Sequence, residues 1–236
     1  MTKVPELARR IVYEGNGVLV VDKPAGLPAT GRDPDDPDSL EHVLAKHLHR
    51  RVWAVHQLDT DTSGLIVFVA RKSLVARWAA RLKPPRAIKT YVAFCHGSPG
   101  FEERTIDLPI GALGRGRLGV IPGGKSAISV VRVRDRTRSH GLLEVELRTG
   151  RTHQIRIHLA HIGHPLVGER RYLEPPCDLL PRHALHAASI AFKDGEEPAA
   201  LFAPLPRDLR ELARRLGLDL GRCVRCGPGL SVKPHP

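Results

Sequence analysis

Short apolar runs alternate with polar, proline- and glycine-punctuated stretches, at spacings too irregular for a repeating strand–helix unit. Gly17-Val-Leu-Val-Val-Asp22 is a β-branched run closed by Lys23-Pro-Ala-Gly26. Proline fixes φ and glycine permits a tight reversal, so a strand ending in a loop is predicted. Leu40, Val43, Leu44 and Leu48 recur at helical spacing behind Ser39, which predicts a helix with a serine N-cap after the acidic loop Arg32–Asp38. Further strands are predicted over 64–70, 90–95, 130–133 and 142–147. In the last of these, Leu143, Val145 and Leu147 alternate with Glu144 and Glu146. Helices are predicted over 73–82, 152–162 and 207–216. Strands predominate, mostly joined by short turns. The expectation is therefore an α+β fold, a single domain with a mixed, largely antiparallel sheet flanked by helices and loops over residues 1–216. Residues 217–236 lose periodicity and are rich in Gly, Pro and Cys, which marks a C-terminal tail.

Composition narrows the partner. The 236 residues carry 37 Lys plus Arg against 25 Asp plus Glu, a formal charge of +12 that favours a polyanion and steers encounter with it. The 42% hydrophobic content is enough for a buried core. No apolar run reaches the length of a membrane span or a signal peptide, so no membrane association and a cytoplasmic location are expected. The four cysteines make no disulfide framework, and Cys95 and Cys177 read as plain thiols.

Two runs carry candidate chemistry. In His56-Gln-Leu-Asp-Thr-Asp-Thr-Ser-Gly64, polar and turn-forming residues precede an apolar strand. That places Asp59 or Asp61 at a sheet rim where it can face a cleft, while an ordinary Asx turn is the plainer reading. In Gly150-Arg-Thr-His-Gln-Ile-Arg-Ile-His-Leu-Ala-His-Ile-Gly-His-Pro165, Ile155, Leu159 and Ile162 can line the buried face of a helix. Arg151, His153, Arg156 and His158 then fall on other faces, either as a solvated basic surface or with one arginine entering a cleft to pair with a carboxylate. The four histidines raise a metal site, but no Cys, Asp or Glu lies within the run to complete a shell. Cys223-Val-Arg-Cys226 has knuckle spacing but is a single pair, which His235 would extend only to three ligands.

Together, His-x-Leu-Asp-x-x-Thr-Ser-Gly-Leu at 56–65, Gly-Arg-Thr-His-Gln-Ile-Arg-Ile-His-Leu at 150–159 and Gly-His-Pro-Leu-Val-Gly at 163–168 resemble the RluA-type RNA pseudouridine synthases. Val20-Val-Asp-Lys-Pro-Ala-Gly26, Lys89-Thr-Tyr-Val-Ala93, Leu185-His-Ala187 and Phe202–Leu209 extend the resemblance over nearly the whole chain. It implies an isomerase that needs no cofactor and acts on uridine in tRNA or ribosomal RNA; the S4 domain of many relatives is not expected in this chain, and monomeric action is the default expectation. It maps the catalytic carboxylate onto Asp59, an arginine partner onto Arg156, and an active-site tyrosine onto Tyr91. The tyrosine's ring would face the uracil and its phenol would assist loss of the C5 proton. His56, Gln57, Thr62, Lys23, Lys125 and Arg151 are the implied RNA-side residues, with the Arg132–Arg138 stretch as further phosphate contacts. Gln57 stands where the family usually has arginine, and Glu169 where aspartate is usual. Two alternatives stay open: an RNA-binding or ribosome-assembly protein that keeps the fold without catalysis, and a metal-dependent hydrolase built on the histidine-rich helix.

Overall fold

The protein's structure, a computed structural model, describes residues 7–33, 36–175 and 178–223. Its strands are β1 (Ile11–Gly15), β2 (Val18–Lys23), β3 (Trp53–Ala54), β4 (Ser63–Val69), β5 (Ala87–His96), β6 (Glu103–Asp107), β7 (Ile110–Gly114), β8 (Arg117–Val120), β9 (Ile128–Arg136), β10 (His140–Leu147), β11 (Leu185–Phe192) and β12 (Ala200–Phe202). The helices are α1 (Leu40–His47), α2 (Val75–Arg81), α3 (Gln154–His161) and α4 (Arg207–Leu216). Eight strands run in the order β1-β2-β4-β11-β5-β10-β9-β6, with β3 on β4 and β12 on β11, while β7 and β8 form a separate hairpin. The β4–β11 pair is parallel and the other pairings are antiparallel, which gives the mixed α+β sheet expected.

The alternating faces of β5 explain the layering. Tyr91, Ala93 and Cys95 join one core with Leu40 and Leu44 of α1 and Ile155 and Leu159 of α3. Val92 and Phe94 join a second core with Leu209, Leu212 and Ala213 of α4. Trp78 of α2 closes a third core over Val18, Val20, Leu65 and Val67. Both faces of the central sheet are thus covered, and β4 is buried at every position. Leu218 and Cys223 pack into the α4 core, so ordered packing runs past Gly217 to Cys223. Cys177, Cys226 and His235 lie outside the described residues. Among those described, no helix is long and apolar enough to cross a membrane.

Helix α1 begins where its cap predicts, with Ser39 Oγ accepting from the His42 N–H at 3.2 Å. The helix expected from Thr152 starts instead at Gln154, because His153 takes a left-handed backbone with φ +55°. Strand β11 was not expected as a strand. Its Leu-His-Ala-Ala-Ser-Ile-Ala-Phe sequence lacks alternation and is rich in alanine, and it becomes a strand because β4 and β5 flank it on both sides. The alternation in β10 does not expose its glutamates: Glu144 and Glu146 are buried and pair with Arg134 and with Arg132 and Arg148. Arg136 bonds Glu102 and the Pro99 carbonyl. Arg132, Arg134 and Arg136 of this stretch thus hold carboxylates of the protein itself, while Arg136 and Arg138 remain exposed.

The β4–β11 approach demands glycine at position 64. Its φ is +107°, and a Cβ there would lie 2.2 Å from the Ala187 carbonyl oxygen. Gly64→Ala is expected to lower stability by about 3 kcal/mol or more, from backbone strain plus the clash. The loss should appear as a lower denaturant midpoint in equilibrium unfolding.

Candidate active site

The loop that carries Asp59 is held at almost every residue. Lys23 is fully buried, and its ammonium donates to the carbonyls of Pro24, Leu27 and Thr60 at 2.9, 2.8 and 2.7 Å. Burial pulls its pKa down to about 7, against the attraction of Asp61 and Asp59, while three carbonyl acceptors call for the charged form. Arg182 donates to the Asp61 carbonyl at 3.1 Å while gripping both Asp208 oxygens at 2.7 and 3.2 Å, which fastens the loop to α4. The Thr62 hydroxyl lies 2.8 Å from His183 Nε2, and the Ser63 hydroxyl 2.9 Å from His186 Nδ1. Because His186 Nε2 faces the Ala203 carbonyl at 3.2 Å, that ring donates there and accepts from Ser63 as a neutral imidazole. Lys23 and Thr62 are both buried with their side-chain polar atoms bonded inside the protein, and Thr62 also lines the first cavity beside Asp59.

Helix α3 supplies the partner. Gln154 staples its first turn by accepting from the Arg151 N–H at 3.0 Å and donating to the Ile128 carbonyl at 3.0 Å. His158 sits fully buried between the Ser129 hydroxyl and the Leu108 carbonyl, each 3.0 Å away, so the solvated basic face is not realised. Arg156 is buried and shared between two carboxylates. Its Nε and Nη2 meet both oxygens of Glu169 at 2.8 and 2.7 Å, and Nη1 meets Asp59 Oδ2 at 3.1 Å. Glu169, 1% exposed, also accepts the backbone N–H groups of Arg170 and Arg171 at 3.1 and 2.8 Å. The guanidinium stacks 5.3 Å from the Tyr172 ring centroid.

Asp59 lies where two cavities of about 260 and 340 Å³ meet, both also lined by Gln57, His153 and Arg156. Tyr91 and Lys89, two residues apart on β5, form one wall of the first cavity. Burial, reinforced by the Asp59 charge, pushes the Tyr91 phenol well above its ordinary value, so it is protonated near neutral pH. Burial lowers the pKa of Lys89. His56, which accepts the Val67 N–H on Nε2 at 3.2 Å, is pushed down to about 3 by burial and then by Lys89, and is neutral. Gln57 is exposed at the rim, 3.1 Å from Thr30 Oγ1. Arg151 is exposed beside the first cavity and donates to the Ser126 carbonyl at 2.9 Å, next to exposed Lys125. Cys223 is buried in the α4 core.

Residues 17–161 match the family described as RNA pseudouridylate synthase, and two curated relatives share more than a third of their aligned residues with the chain. The chain belongs to the RluA-type RNA pseudouridine synthases. The uncharacterized RNA pseudouridine synthase YhcT of Bacillus subtilis is 35% identical, over 86% of this chain and 71% of that protein. Ribosomal large subunit pseudouridine synthase D of Pseudomonas aeruginosa is 37% identical, over 91% and 73%. The human RNA Pseudouridylate Synthase Domain Containing 4 shares the fold, with a TM-score of 0.76 at 24% identity over 90% of this chain and 95% of that one. In this pseudouridine synthase the motifs bring Asp59, Tyr91 and Arg156 to one cleft. Four residues there had no assigned role from sequence: Glu169, His153, Tyr172 and Lys89. Glu169 was visible only as a departure from the usual aspartate, and Tyr172 carried no signal at all.

The histidines under the Asp59 loop set a pH dependence. Burial pushes His183 and His186 down to about 4, whereas in the unfolded chain they titrate near 6.5. Between those values the unfolded chain binds more protons, so stability falls as pH drops from about 6.5 to about 4, by up to about 1.4 kcal/mol per pH unit for each histidine. Urea unfolding from pH 7 to pH 4.5 should show this decline, with a shallower slope in His186→Gln.

Proposed function

We propose that this isomerase converts uridine to pseudouridine in tRNA or ribosomal RNA, with Asp59 as the catalytic carboxylate acting on a nucleotide flipped out of the RNA. The observation that carries the reading is the placement of Asp59 on a bonded loop in the lining of both cavities, with Arg156 on one oxygen and Tyr91 in the wall of the first cavity. The reaction breaks the N1–C1′ bond, turns the uracil, and rejoins it through C5 to C1′, with no net redox change. An anionic carboxylate suits either attack on C1′ or removal of the C2′ proton, and the Arg156 charge offsets the cost of holding it in a partly dry cleft. The Tyr91 ring offers an aromatic face to the uracil.

Unstacking the target nucleotide costs a few kcal/mol, which contacts to the phosphates offset. Exposed Arg151, Arg170, Arg171 and Lys125 give the rim a positive character suited to them. Gln57, at the rim of both cavities, lacks the charge and planar fork of an arginine, so the space left by the flipped base is filled by a neutral amide. The large-subunit name of the Pseudomonas relative favours ribosomal RNA as the first substrate to try.

Tritium release from RNA carrying 5-³H-uridine, assayed on pooled tRNA and on rRNA, tests the proposal. Wild-type protein should release tritium from one pool. Asp59→Asn should lose roughly 10⁴-fold or more of the rate, the scale of removing a nucleophile or essential base, while RNA affinity changes little. Absence of release from both pools would overturn the proposal in favour of an RNA-binding protein that keeps the fold without catalysis.

A further inference from the structure

His153 caps α3 through its backbone, its carbonyl accepting the Ile157 N–H at 2.9 Å, and the helix makes no use of its side chain. It precedes the first residue of α3 with φ +55°, a left-handed conformation costing a non-glycine residue about 1–2 kcal/mol, and its side chain makes no capping bond. The ring instead enters the cleft and lines both cavities at Asp59. Its Nδ1 lies 2.7 Å from the Tyr172 hydroxyl, and the two rings meet edge to face at 5.7 Å. Its Nε2 lies 3.7 Å from Asp59 Oδ1, the oxygen that Arg156 leaves free. The charged groups facing it are Asp59, Arg156, Arg171 and Glu169.

Resting on the proposed function, we propose that His153 is the general base that removes the C5 proton after the new C5–C1′ bond has formed, oriented for that step by Tyr172. Once C5 has attacked C1′, C5 carries both the sugar and its original hydrogen, and the ring holds an N1=C6 double bond. His153 Nε2 takes the C5 proton and the C–H electron pair forms C5=C6. The C6=N1 π electrons then move to N1, which accepts a proton from the imidazolium directly or through water. Proton and electron counts balance without an added reactant.

Three features fit His153 to the role. The Tyr172 hydroxyl, 2.7 Å from Nδ1, can donate or accept; in the tautomer in which Nδ1–H donates to it, the Nε2 lone pair is the one on the cavity side, beside Asp59. Accepting a proton there converts a contact between a lone pair and a carboxylate into an ion pair, which stabilises the imidazolium as it forms. Burial lowers the pKa of the resting ring despite Asp59, so it is neutral and able to accept, whereas the Tyr91 phenol is held protonated and is a poor base.

The test compares single-turnover rates on whichever RNA, tRNA or rRNA, releases tritium with wild-type protein, transcribed with ordinary or 5-deuterated uridine, for wild type, His153→Asn and Tyr172→Phe. Asparagine tolerates the left-handed backbone, so His153→Asn keeps the start of α3 intact. The expected result is a loss of about 10²-fold or more in His153→Asn, typical of a removed general base, with little change in RNA affinity and a deuterium effect above the wild-type value. Tyr172→Phe should shift both quantities in the same direction by less. A near-wild-type rate in His153→Asn, or a slow rate with the wild-type isotope effect, would overturn the assignment, the latter leaving His153 a structural neighbour of Asp59. If wild-type protein turns over neither tRNA nor rRNA, the proposed function fails first and the assignment with it.

Discussion

One buried guanidinium organises the site. Arg156 is bound on one edge by both oxygens of Glu169 and reaches Asp59 with its remaining nitrogen. A buried positive charge with a single carboxylate could satisfy itself in several orientations. With Glu169 fixed by two backbone N–H groups, Arg156 has one orientation, and its free nitrogen can point only into the cleft. Breaking such a network by removing one partner typically costs about 3–5 kcal/mol, because a desolvated charge is left behind. The positions of α3, the Glu169 turn and the Asp59 loop are thereby tied to one another.

The Asp59 loop answers this from the sheet side. Parallel pairing of β4 with β11 places His183 and His186 beside Thr62 and Ser63, and the close approach at Gly64 leaves no slack after the loop. Lys23 and Arg182 hold the loop's carbonyls rather than its carboxylates, so they position Asp59 without competing with Arg156 for it. The carboxylate is held in advance on fixed elements, and in the proposed function this spares the transition state the cost of arranging it.

Much of this was legible in the residues. β-branched runs placed β2, β4 and β5, the Ser39 cap placed α1, and the spacing within 207–216 placed α4, because each follows from local pattern. Strand β11 was invisible, since an alanine-rich segment becomes a strand only through its neighbours. The catalytic candidates Asp59, Tyr91 and Arg156 came from long motifs, and the fold brings them to one cleft. The internal partners of Lys23, Thr62 and the arginines of β9 were not legible, because polar side chains in a basic chain read as RNA contacts until the fold brings those partners beside them. Glu169 and Tyr172 escaped because their roles depend on a turn that returns to α3 across space, which no sequence spacing encodes.

The dependence of Asp59 on a fixed guanidinium is tested most directly by the single-turnover rate of pseudouridine formation in Arg156→Lys at saturating enzyme. Lysine keeps the charge but cannot hold Glu169 with two bonds and Asp59 with a third. The account predicts a fall of about 10²-fold or more, the scale of a misplaced catalytic group, with RNA affinity little altered. A rate close to that of wild type would contradict it, since the point charge alone, without the fork shared between Glu169 and Asp59, would then be sufficient.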